Sequence, residues 1–109
     1  MLSKNAVPAR VAIEGPLTVR TCHNYTCDLV SRIGAAKAFV LDISGCSDVD
    51  VAGVQLVESA RRFAERSGVR LELAAGAEGR WVEVLERGGF VTAARPLDRA
   101  FWLHERGEP

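Results

Sequence analysis

A surplus of charge is the first thing this chain lacks. Its 109 residues carry 14 basic and 14 acidic side chains, for a formal net charge of zero. No cationic excess draws it to nucleic acid, and no acidic excess marks a solvating tail. The balance also holds along the chain: five bases and five acids precede Val57, and nine of each follow it. Long apolar runs are missing too, none approaching the roughly 18 residues of a membrane span. The opening MLSKNAVPAR lacks the apolar core of a secretion signal, so a cytoplasmic protein without direct membrane insertion is expected. Cysteine is scarce and odd in number, at Cys22, Cys27 and Cys46. With no secretion signal, that argues against a disulfide framework and for free thiols. Internal repeats are absent. So are the Gly-x-x-x-x-Gly-Lys-Ser/Thr loop and the dinucleotide fingerprint, and no cofactor is expected.

What remains is ordinary in bulk and informative in pattern. Apolar residues make up 48% of the chain, enough for the core of a single domain, here spanning about residues 10–104. Residues 10–14 alternate as a short strand, and Gly15-Pro16 ends it. Residues 18–32 place Val19, Cys22, Tyr25, Leu29 and Val30 at helical spacing, with Gly34 as a stop. Residues 38–43 are apolar almost throughout, which predicts a strand covered on both faces, as in a parallel sheet. Residues 44–48 read as a loop.

The helix over 51–66 is the clearest element. Val54, Val57, Arg61 and Ala64 track one line, with Val51, Ala60 and Phe63 beside it. Asp50 stands where an N-cap belongs, and Gly68 where a C-cap glycine would. Residues 69–74 alternate as a half-buried strand. A helix over 79–87 turns Trp81, Val84 and Leu85 inward, and Gly88-Gly89 closes it. Residues 90–92 suggest a final strand. Residues 96–104 suggest a last helix with Leu97, Ala100, Phe101 and His104 on one side. This order predicts an α/β domain of four to five mostly parallel strands, with about four helices packed on it.

The stretch 41–56, L-D-I-S-G-C-S-D-V-D-V-A-G-V-Q-L, carries the most chemistry. A strand delivers a small-residue loop to a helix start, where free amides and the dipole favour an anion. Two readings of the junction are open. In one, Gly53 lets a partner backbone approach; in the other, Asp50 merely caps the helix and Gly53 packs on the sheet.

Leu41-Asp42-Ile43-Ser44-Gly45, followed by Asp50-Val51-Ala52-Gly53-Val54, resembles the STAS domain family. That family includes anti-sigma-factor antagonists, cytoplasmic domains of sulfate transporters, and lipid-transport and chemotaxis-associated modules. Gly15-Pro16-Leu17-Thr18 falls where the family has Gly-Glu-Leu-Asp, and Glu86-Arg87-Gly88-Gly89-Phe90 is similar to its late helix–glycine–Phe ending. The resemblance spans about residues 11–103. It implies a STAS-like fold and a non-catalytic interaction module.

Phosphorylatable members carry Ser or Thr directly after the motif aspartate. Here that position is Val51 and the next is Ala52, so the degenerate acceptor position has no hydroxyl. The resemblance then implies a binding surface of Gly15, Thr18, Ser44, Cys46, Ser47, Asp48, Asp50, Val51, Ala52 and Gly53. Asp48 and Asp50 would give it a negative patch for a basic partner. The partners implied are an anti-sigma factor or kinase, a lipid-transport ABC complex served as an accessory subunit, a chemotaxis component, or a second copy of the chain.

Rival chemistry finds less support. Cys22, His23 and Cys27 at spacings of one and five spread around a helix, which is poor geometry for zinc, and no metal site is expected. A small cysteine-dependent enzyme using Cys22 or Cys46 with His23 or His104 has no base placed beside its thiol. The run Arg61-Arg62-Phe63-Ala64-Glu65-Arg66 reads as a solvated helix side balanced by Glu58 and Glu65.

Overall fold

A computed structural model describes residues 9–91 and 96–105. The elements run β1 (Ala9–Ala12), β2 (Gly15–Leu17), α1 (His23–Gly34), β3 (Ala38–Asp42), β4 (Cys46–Val49), α2 (Val51–Arg66), β5 (Arg70–Leu73), α3 (Arg80–Arg87) and α4 (Pro96–Leu103). Every ladder among the described residues is parallel. One sheet has the order β1-β3-β5, and the second pairs β2 with β4. The α/β class and strand number agree with the sequence reading.

The two sheets are successive lengths of one pairing. The Ile13 amide donates to the Asp42 carbonyl at 2.9 Å, and the Gly15 amide to Gly45 at 3.1 Å, carrying the ladder across the joint. The register then shifts between Gly15 and Pro16. Gly15 turns at φ +79°, and Pro16 has no amide to donate, so the chain bends there instead of stopping. Gly15-Pro16 therefore does not end the strand run. The expected loop at 44–48 contains most of β4. Leu17 and Val49 anchor these short strands in the core, both fully buried.

The helices cover one face only. Phe39, Leu41 and Leu73 are buried beneath them, while Arg10, Ala12, Arg70 and Glu72 on the other face are exposed and Val40 and Asp42 half-buried. This corrects the expectation that 38–43 is covered on both sides. Its apolar Val40 lies in an open face, beside an Arg10–Asp42 ion pair at 3.1 Å.

Helix α2 keeps its expected bounds, with Val54, Val57, Ala60 and Ala64 buried. Each such valine contributes about 1.5–3 kcal/mol by leaving water. Helix α1 starts five residues later than expected. The Thr18 carbonyl accepts from the Thr21 and Cys22 amides, and the Thr21 hydroxyl donates to the Pro16 carbonyl at 2.9 Å. Threonines that bond their own backbone compete with helix in this way.

The C-terminal part departs further. Phe90 and Val91 form a turn, not a strand, after Gly89 at φ +75°; Thr92 lies outside the described residues. Val91 is apolar because it is buried, and its carbonyl accepts from Arg99 of α4 at 2.6 Å. On α4 the inward residue is Trp102, fully buried, whereas Leu97 from the expected face is 73% exposed. Trp102 packs on Trp81 at 5.9 Å and edge-on to Phe101 at 5.2 Å. Arg61 is not a solvated bystander. It lies 3.0 Å from Asp98 and its guanidinium sits 4.5 Å over the Phe101 ring, fastening α4 to α2.

Candidate partner-binding site

Both carboxylate oxygens of Asp50 are used inside the domain. Asp50 is extended and caps α2, Oδ1 accepting from the Gly53 amide at 3.2 Å. Oδ2 accepts from the Val19 amide at 3.1 Å, tying the turn after β2 to the helix start. Two valines flank this capped carboxylate in solvent, Val19 at 69% and Val51 at 46% exposure. Thr18 and Ala52 beside them are half-buried.

Gly53 serves the fold. It is buried, and a Cβ there would collide with the Leu17 carbonyl oxygen and the Val49 side chain. The close approach it permits is that of α2 onto β2 and β4.

The β3–β4 joint is equally self-contained. Ser44 donates both its hydroxyl, at 2.6 Å, and its amide, at 2.9 Å, to Asp42 Oδ1. The Ser44 hydroxyl first, then its amide, hold the Asp42 carboxyl below its ordinary range, and Arg10 adds to this. Asp48 accepts from the Val49 amide at 2.9 Å and sits 3.4 Å from Arg80. The two carboxylates expected to form a negative patch are both engaged within the domain. Asp50 accepts from two amides, Asp48 faces Arg80 with its side chain 59% exposed, and the aliphatic Val19 and Val51 stand exposed at the helix start.

The expected binding surface divides in two. Thr18, Asp50, Val51 and Ala52 meet at the start of α2, with Val19, which sequence reasoning left off the surface. Ser44, Cys46 and Ser47 instead line a cleft of about 390 Å³ with Ile43 and residues 75–81. Sequence reasoning missed that second wall; its signal was the small-residue run Ala74-Ala75-Gly76-Ala77 between a strand and a helix. Burial pushes the Cys46 thiol up, and its proton goes to the Asp48 carbonyl at 3.3 Å. Cys22 is half-buried and Cys27 exposed. Among the described residues no group of three His, Cys, Asp or Glu side chains is placed to hold a metal ion.

The described residues form a one-faced parallel α/β domain whose helix α2 is capped by the Asp50 carboxylate beside the turn after β2. Residues 1–92 match the family described as Mlab, STAS domain, and the chain belongs to that STAS family. Helix α4 lies beyond the matched segment. A search of the curated proteins returned no match. Among the described residues no helix is long and apolar enough to cross a membrane.

Proposed function

We propose that this STAS domain is a non-catalytic docking module that holds a protein partner constitutively on the surface around the start of α2. The exposed side chain of Val51 carries this reading. It follows the motif aspartate, where the resemblance places a phosphorylatable hydroxyl, and like Val19, whose amide is tied to Asp50, it is exposed. A phosphate at this spot would add about two negative charges; valine cannot accept one. The partner therefore presents apolar side chains to these valines. The raised Cys46 thiol supports the non-catalytic reading, since a thiol kept protonated is a poor nucleophile.

An anti-sigma factor fits as the partner of an antagonist frozen in its binding state. A lipid-transport ABC complex fits as the host of a permanent accessory subunit, and the same observation favours it, because nothing at Val51 can release the partner on phosphorylation. Calorimetric titration of an anti-sigma kinase and of an ABC ATPase subunit from the same genome separates the two. Val51→Asp weakens the true partner tenfold or more, about 1.4 kcal/mol. If every partner that binds the wild type binds Val51→Asp equally well, the interface lies elsewhere. Incubation with the kinase and ATP leaves the peptide ending at Arg61 unphosphorylated.

A further inference from the structure

The two edges of the β1-β3-β5 sheet are finished differently. The Ile13 amide faces β3 and donates to Asp42, and the Ala74 amide faces β3 and donates to Leu41. Alternation along each ladder then turns the backbone of Leu71 and Leu73 outward on β5, and that of Arg10, Ala12 and Glu14 outward on β1. The β5 edge is guarded: His104 Nε2 lies 3.0 Å from the Leu73 carbonyl, and α4 packs beside it. On the β1 edge, the Arg10 and Ala12 amides and carbonyls and the Glu14 amide meet no partner among the described residues. The Glu14 carbonyl accepts from the Tyr25 hydroxyl at 3.3 Å and keeps a second lone pair. An edge of this kind is a template for another strand.

Charge specifies which strand. Residues 10–14 read Arg-Val-Ala-Ile-Glu, a cation and an anion at the ends of an apolar centre, and Arg10, Ala12 and Glu14 are all exposed. Laid antiparallel on itself about Ala12, the segment sets Arg10 opposite Glu14 of the partner subunit, and Glu14 opposite Arg10 of the partner subunit. The backbone agrees, because this register brings outward groups only against outward groups. A register centred on Arg10 would set like charges face to face. We infer that the β1 edge joins two copies of this chain, by antiparallel pairing of residues 10–14 across a two-fold axis at Ala12. Arg10 keeps its bond to Asp42 at 3.1 Å through Nη2 and reaches Glu14 of the partner subunit with its remaining donors. Two copies of a chain with no net charge do not repel at long range. The seam is short, so the dimer is weak. It shares no residue with the surface at the start of α2, and the inference does not depend on a partner there.

Sedimentation equilibrium of the full chain should show monomer passing to dimer with a midpoint of about 0.1–1 mM, in keeping with a small interface. Ala12→Pro removes an outward amide that the β3 ladder does not use. That variant should stay folded by circular dichroism and stay monomeric. Arg10→Glu and Glu14→Arg each set like charges across the seam, and each should weaken the dimer at least tenfold. Mixed in equal amounts they should dimerise again, because the two acids of one variant then face the two bases of the other. Mixing rescues neither a folding defect nor an interface elsewhere on the domain. A wild-type chain that stays monomeric through this range overturns the inference. So does a dimer that Ala12→Pro leaves intact, or a mixture no more dimeric than its components.

Discussion

Helices α2 and α3 each follow a parallel strand, α2 directly and α3 after the stretch 74–79, yet their first turns are completed by different means. At α2, Asp50 supplies both oxygens, one to its own helix and one to the Val19 amide across the turn. At α3, Gly79 supplies no side chain, and the first amides stay open toward a cleft. A closed start is a surface for packing, because its dipole is already answered and aliphatic side chains can stand around it. An open start keeps its positive end available. The contrast separates a helix start closed by a side chain from one left open to solvent.

The strongest way to break the closed start is Gly53→Ala. The added methyl meets the Leu17 carbonyl, which is backbone and cannot swing aside, so α2 must lift from β2. Chemical denaturation should show a loss of about 2–3 kcal/mol. Asp50→Ala opens the start without crowding it, removing the cap and the tie to Val19. Its expected loss is about 1–2 kcal/mol, with the Val19 and Gly53 amides exchanging faster by NMR. A wild-type exchange rate at Val19 would show that the tie contributes nothing.

Gly79→Ala probes the open start, where a side chain is strained by the positive φ. Its loss should be about 1 kcal/mol, smaller than that at Gly53 because no atom lies within 4 Å of the new methyl. The smallest expected effect is Ser44→Ala, which sharpens the comparison at a carboxylate outside either helix. Asp42 is lowered chiefly by the Ser44 hydroxyl, so its stabilisation is present above the ordinary carboxylate range and lost as pH falls through the lowered value. In the variant the Asp42 carboxyl signal should titrate at higher pH, and the acid limb of the stability curve should shift upward with it.

The closed start was legible in the sequence because capping is local. Asp50 before an apolar helical line fixes the cap, and α2 has the bounds its periodicity predicts. Gly53 was ambiguous because its reason lies on Leu17, 36 positions earlier in the chain. Strands β2 and β4 escaped notice for the same cause. Gly-Pro and Cys-Ser-Asp have turn-like composition, and only their pairing with each other makes them strands. The wrong face assigned to α4 shows a further limit: spacing marks Leu97 and Phe101 as readily as Trp102, but only Trp102 finds Trp81 and Glu58. The placing of the Trp81 indole beside the Cys46 sulfur has no sequence signal at all, since the two lie 35 positions apart in the chain.

Strands β1, β3 and β5 lie side by side in chain order, with every described helix on one face. The backbone therefore advances as a short coil, each turn laid against the one before it. Such windings behave as nearest-neighbour arrays: the energy of a turn depends chiefly on the turns beside it, and local opening spreads inward from the ends. The middle turn, from β3 through α2, has neighbours on both sides and should hold its amide protons longest in hydrogen exchange. The outer turns, each gripped from one side, should release theirs first.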